Sequence, residues 1–344
     1  MLIELGNPVD FVPDIHHWYI SSSQIPECVL EPGSVDDLAT AMQVIGSVRS
    51  PFAVKSGGHS SNPGFSSTTG VHISLKRMNQ VALSDDNSMV EIGMGMNGTI
   101  TRVDSDQPDL FFALKGGLNR FGIVASAEFY THKQSPQVYG GIAIYGNDEL
   151  DDLLNATAKF DAENTDPKAQ IITTLEGLET GTIGLVLFFY DGPDRPASFA
   201  PFDNISTIID HTKTQTFAEF VKGFPSNIVT NARGTFHTFS TSKLTPAFLA
   251  AVKNETDLNL YVAWMSSDDD QFWYDAMRSS VQNLKNVAIE EGIYSSDFTA
   301  YPNYAISNTT AEELYGAKNA ARLSSIRSQV DPDGVMQLAG GFSI

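Results

Sequence analysis

The stretch from Pro51 to Phe65, P-F-A-V-K-S-G-G-H-S-S-N-P-G-F, constrains the fold of this chain more than any other. The apolar run Phe52-Ala53-Val54 is long enough for a buried strand. Ser56-Gly57-Gly58-His59-Ser60-Ser61-Asn62-Pro63-Gly64 is too rich in glycine and small polar residues to pack as helix or sheet. The segment therefore reads as a strand feeding a tight loop. Paired glycines let backbone N–H groups converge in a concave nest, which holds phosphate oxygens because no side chain stands in the way. His59 follows at once. On residue types alone, the same run also describes an ordinary turn with a surface histidine.

The chain has 344 residues and a 42% hydrophobic fraction with 21 phenylalanines, which fits about two domains with a generous core. Its formal charge of −20 argues against a nucleic-acid or anionic-membrane partner, because phosphate-rich surfaces are met with Lys and Arg. No apolar run approaches the roughly 20 residues of a membrane span. The beginning of the sequence shows no basic region followed by an apolar stretch, so no signal peptide is read there, and the compartment stays open. One cysteine, Cys28, excludes an internal disulfide, and no neighbouring base marks it as a nucleophile. Asn-x-Ser/Thr sequons at Asn97, Asn155, Asn204, Asn254 and Asn308 do not decide the compartment. P-loop, H-E-x-x-H and G-x-S-x-G motifs are missing, which leaves nucleotide-triphosphate, zinc-protease and serine-hydrolase readings without support, and no metal site is expected.

The order of motifs carries more than any one of them. The strand and S-G-G-H-S loop are followed by Gly70-Val71-His72-Ile73-Ser74-Leu75, Met78-Asn79 and Val90-Glu91-Ile92-Gly93-Met94-Gly95. This series resembles the FAD-linked oxidases of the p-cresol methylhydroxylase (PCMH) and vanillyl-alcohol oxidase type, in particular their berberine-bridge-like branch, common in fungal secondary metabolism. The resemblance implies FAD as cofactor. It implies that Ser56, Gly57, Gly58, His59 and Ser60 cradle the pyrophosphate and that His59 is bonded to the 8α-methyl of the flavin. Pro108-Asp109-Leu110-Phe111-Phe112-Ala113-Leu114-Lys115-Gly116-Gly117 and Asn119-Arg120-Phe121-Gly122-Ile123-Val124 are similar to the family's P-D-L-F-W-A-L-K-G-G-G-N-N-F-G-I-V. That implies a helix, a glycine turn over the flavin with Gly116, Gly117, Asn119 and Gly122 at the cofactor, and a buried strand. Leu118 stands in place of the third glycine and Arg120 in place of the second asparagine. A positive φ at Leu118 would cost of order 1–2 kcal/mol. Tyr301-Pro302-Asn303-Tyr304 resembles the Y-x-N-Y motif, which brings Tyr301, Asn303 and Tyr304 toward flavin and substrate, although aromatic core packing accounts equally well for the tyrosines.

Against the family pattern the chain is short. Met94-Gly95-Met96 runs directly into Asn97-Gly98-Thr99-Ile100, which resembles a later strand, so several tens of residues are absent after Met96. The missing block would carry a second phosphate loop and the cysteine of doubly attached flavins, which leaves single attachment. The expected fold is α+β: a PCMH-type FAD-binding domain built from both chain ends, residues 1–133 with 297–344, plus an antiparallel-sheet substrate domain over 134–296. Ser34-Val35-Asp36-Asp37 opens a helix with Leu38, Met42 and Ile45 inward and Gly46 as its stop. Strands are expected over Val138–Tyr145, Ile183–Tyr190, Thr235–Ser240 and Asn259–Ser266, and helices over Asp148–Asp161, Asp270–Lys285 and Asn319–Gln329. His237 reads as a structural histidine or a pocket acid–base group.

The chemistry implied by the resemblance is oxidation of a small molecule at carbon, with hydride passing to the flavin and O2 as acceptor, and with Tyr304 or Tyr301 as base. A phenol with a pKa of about 10 needs a cation beside it for that task. The competing outcomes are a homologue without FAD that acts as a non-redox cyclase, isomerase or binding protein, and a truncated inactive gene product.

Overall fold

Ser34 caps its helix as the spacing predicts. Its side chain accepts from the Asp37 amide at 3.1 Å, and the Asp37 carboxylate accepts from Gly33 N at 3.0 Å. This computed structural model describes residues 2–4, 8–86, 88–93, 102–178, 181–224, 232–256 and 261–344. The junction at 96–97 and the sequon at Asn97 lie outside them.

The first sheet comprises β1 (Leu2–Glu4), β2 (Cys28–Glu31), β3 (Phe52–Lys55) and β4 (Val71–Ser74), in the order β1-β2-β4-β3. β2, β4 and β3 run parallel and β1 antiparallel. Helices α1 (Pro8–Ile15) and α2 (Val35–Val48) flank it. Leu38, Met42 and Ile45 of α2 pack on Phe52, Ile73 and Leu75. Gly46 does not stop α2. The helix runs on to Val48 and is closed by Arg49 in the left-handed region, φ 55°. The core is completed by Met336 and Ala339, and Ala339 bridges to Phe52 in parallel. Both ends of the chain thus build one layer.

A second sheet joins β5 (Val81–Leu83), β6 (Met89–Gly93) and β7 (Ser126–Tyr130) antiparallel, with helix α3 (Pro108–Leu114) between the last two strands in sequence. The third sheet is antiparallel throughout. β8 (Val138–Tyr145) pairs with β10 (Gly181–Tyr190), β10 with β9 (Ala169–Leu178), and β11 (Ile209–Asp210) and β12 (Lys213–Gln215) pair with β8. Helix α4 (Leu150–Glu163) covers it, burying Leu150, Leu153 and Phe160 against Val186 and Phe188. The first turn expected of this helix is instead a 3-10 turn, Asn147–Glu149.

β9 has no counterpart among the sequence expectations, although Ile171-Ile172-Thr173-Thr174 carry the β-branched signal for it. Helix α5 (Phe217–Lys222) follows β12, opened by a capping box from Thr216 and Glu219. β13 (Arg233–Phe236) pairs with β14 (Tyr261–Trp264), so the expected strand ends four residues short of Ser240. Helices α6 (Pro246–Thr256) and α7 (Asp270–Glu290) pack with α4 around Leu284 and Ala288. Helix α8 (Ala311–Val330) begins eight residues ahead of the expected Asn319 and kinks at Gly316, φ 73°.

Candidate functional site

The loop after β3 is held open by its glycines. Gly58 adopts φ +72°, and the Cε of Lys55 lies 2.7 Å from where a Cβ on Gly58 would sit, so backbone and packing both require glycine there. Gly58 O accepts from Trp18 N at 3.0 Å. Among the described residues, the amides of Gly57, Gly58, His59 and Ser60 donate to no protein acceptor. Four successive free donors in a glycine loop are the donor set that an anion cradle needs. Lys55 lies beneath them, and burial pushes its pKa down against the opposing pull of Asp14.

Further below, the buried polar layer includes His72, with a pKa lowered to about 4 by burial, and His17, also lowered by burial. His17 Nε2 is 2.9 Å from Ser66 Oγ, and His72 Nε2 is 3.1 Å from Asp14 O. Ser74 donates to Asp14 at 3.3 Å, and Lys76 lies 3.4 Å from the same carboxylate oxygen.

His59 itself is exposed and is the first of four stacked rings. Its imidazole lies 5.7 Å from Trp18 at 17°. Trp18 lies 5.8 Å from Phe236 at 12°, and Phe236 lies 5.1 Å from Tyr304 at 19°. Tyr301 meets Tyr304 edge-on at 5.2 Å, and Asn303 Nδ2 donates to the Tyr301 hydroxyl oxygen at 2.7 Å. The column is assembled by backbone. Ile20 N donates to Ala232 O, and Ser21 Oγ both donates to Gly234 O and accepts from Gly234 N. At Gly234 the buried Tyr19 ring passes so close that a Cβ would lie 2.1 Å from it. A further tie runs from Asn62 Nδ2 to Ala305 O at 2.9 Å, which fastens the glycine loop to the tyrosine motif. Asn62 Oδ1 is buried with no partner among the described residues, an acceptor left for a donor from a ligand.

The structure therefore unites Ser56, Gly57, Gly58, His59 and Ser60 with Tyr301, Asn303 and Tyr304 along one strip. Trp18, Phe236 and Asn62 belong to the same strip and were not among the predicted residues. Of Gly116, Gly117, Asn119 and Gly122, Asn119 is held by the segment around residue 340, which itself lies against Gly64 at the end of the glycine loop. Asn119 Nδ2 donates to Gly340 O at 2.6 Å, and Gly116 O accepts from the Tyr315 hydroxyl at 2.8 Å. A Cβ on Gly117 would strike Ala113 O and the Phe121 ring, so that glycine serves packing. Leu118 does adopt a positive φ, 56°.

Residues 26–102 match the family of FAD binding domains. The chain carries an FAD-binding domain. Its cradle fits that cofactor on two observations made above, the unpartnered amides and the orphaned Asn62 oxygen. Over 278 residues the chain is 26% identical to an uncharacterized FAD-linked oxidoreductase of Arthroderma benhamiae, covering 62% of this chain and 55% of the relative. It spans about half the length of this and the next such relative, 55% and 47%. It is 23% identical to the FAD-dependent monooxygenase prx3 of Penicillium roqueforti over 99% of this chain and 91% of the relative; that alignment extends over 469 positions, more than the chain's 344 residues. Among solved structures, the berberine-bridge-like BBE-like 1 of Physcomitrella patens superposes with a TM-score of 0.77 at 12% identity, covering 99% of this chain and 96% of that one. The FAD-binding domain thus sits in a PCMH and berberine-bridge-like fold, with fungal FAD-dependent relatives.

Proposed function

We propose that this chain is an FAD-linked oxidoreductase that oxidises a small organic molecule beside the His59–Tyr304 strip, with His59 as the point of covalent attachment. The observation that carries the reading is the glycine loop of unpartnered amides ending in an exposed histidine at one end of a ring column whose other end is the tyrosine motif. When bound, the flavin supplies the hydride acceptor and O2 takes the electrons on.

The chain's own residues do the rest. The amides of Gly57 to Ser60, with Lys55 beneath them, hold phosphate oxygens, and Ser56 lines the same loop. Trp18 and Phe236 fill the space between His59 and Tyr304, which fixes their separation and keeps water out from between the rings. Tyr304 or Tyr301 takes the proton from a substrate hydroxyl or amine. Asn303 donates to the Tyr301 oxygen, so that hydroxyl's proton points away from Asn303 and the ring is held for the transfer.

Residues 1–133 and 297–344 form the cofactor half in this reading and 134–296 the substrate half, with Phe236 lent by the latter. The prx3 alignment extends over more positions than this chain has residues, which is in keeping with a chain shorter than that relative.

The test is the absorbance of the purified full chain before and after acid precipitation. Flavin bands are expected to stay with the precipitate and to leave it in His59→Ala. A folded, colourless protein that takes up no added FAD sinks the proposal.

A further inference from the structure

On the far side of Phe236 lies a second feature. Phe236 turns into the ring column, and His237, next in the chain, turns into a cavity of about 790 Å³ between α7, α8 and the 294–300 segment. The volume is that of a small-molecule site. Its wall carries aromatic faces, with Tyr294 edge-on to Phe239 and to Phe298, each at 6.3 Å.

Its polar groups divide sharply. Glu313 accepts from Thr310 N and Oγ1 through a single carboxylate oxygen and shares the wall with Asp297 and Glu312. Lys285 makes no such bond. Its ammonium stands 4.8 Å over the Tyr294 ring and has no ion-pair partner among the described residues. Arg278 donates through Nη1 to Asp275, while its Nε is buried without an acceptor. His237 Nδ1 is buried without a partner, and burial lowers the ring's pKa to about 4, so it is a neutral imidazole at pH 7. An ammonium without an ion-pair partner, one unpaired guanidinium Nε and a neutral imidazole, all beside aromatic walls, leave unsatisfied needs among the described residues that one ligand type meets.

We propose that this cavity is a binding site for an aromatic carboxylate. The carboxylate lies on Lys285 and Arg278, the ring lies against Tyr294 and Phe298, and a ring hydroxyl reaches His237. The site is separate from the His59–Tyr304 strip and stands whether or not the chain carries a flavin.

Isothermal titration of the full chain with 6-hydroxy-2-naphthoate, with 6-hydroxy-2-naphthamide as the neutral control, tests it. Saturable binding of the acid is expected, at least about tenfold weaker for the amide and in Lys285→Met or Lys285→Gln, each checked for native circular dichroism. His237→Phe is expected to erase the preference for 6-hydroxy-2-naphthoate over 2-naphthoate. His59→Ala is expected to keep the wild-type affinity, so failure of the flavin reading leaves this result untouched. No saturable heat, equal binding of acid and amide, undiminished affinity in both Lys285 variants, or loss of binding in His59→Ala would each overturn the proposal.

Discussion

Arg120 is buried, yet it is satisfied by backbone alone. Its Nε donates to Phe342 O and its Nη2 to Gly341 O, both at 2.6 Å, and Nη1 donates to Ala339 O at 3.1 Å. Burial pushes its pKa down without discharging it. Arg120→Met would strand those carbonyls, so a loss of about 3–5 kcal/mol is expected in urea unfolding, and Arg120→Lys should recover only part because one ammonium cannot fork. The sequence shows the departure from asparagine but not its use. The carbonyls that Arg120 serves lie some 220 residues away, and no local pattern announces them. Leu118 is the opposite case. The resemblance places a glycine there, and the positive φ is what that substitution implies.

At the scale of elements, the ring column shows where reading stops. P-F-A-V-K-S-G-G-H and Y-x-N-Y are contiguous, and both are legible as signals. Trp18 and Phe236 are not, because neither has a periodic or motif context and they are brought together by long-range ties such as that between Ser21 and Gly234, 213 positions apart. That tie makes its own prediction. In Gly234→Ala the new methyl must displace the Tyr19 ring, so a loss of about 1–3 kcal/mol is expected in thermal or urea unfolding, together with changed near-UV dichroism from Trp18. The small β5-β6-β7 sheet carries a different mark. Val81, Leu83 and Tyr130 are 70%, 60% and 78% exposed, apolar surface left uncovered.

For the whole molecule, the antiparallel sheet was readable as a class and β3 as a strand from their apolar runs, whereas the parallel pairing of the first layer was not read. The ends of the elements were not: Gly46 is tolerated inside α2, and Gly316 bends α8 without stopping it. Acid sensitivity also belongs to this scale. His72 is wholly buried, with a pKa of about 4, against an ordinary value of 6.5 in the unfolded chain. Between those values the unfolded chain binds a proton that the native state refuses. Stability is therefore full above about pH 6.5 and falls as pH drops toward 4, by up to about 3 kcal/mol for this group. His237 titrates in the same window and adds to the slope. Urea midpoints at pH 7.5, 5.5 and 4.5 should show the decline, and His72→Gln should flatten it. A midpoint that holds steady across that range in the parent protein would contradict this account.

The bridge from Phe52 to Ala339 also sets a schedule. The edge of the first sheet and the carbonyls that receive Arg120 come from residues synthesised more than two hundred positions after the glycine loop. A ribosome has made the loop, the cradle and both later sheets long before that layer has its last partner. The nest can take its final form only after nearly all of this sequence has been translated, so until then β3 waits as an open edge, and folding there is a late, long-range closure rather than a local one.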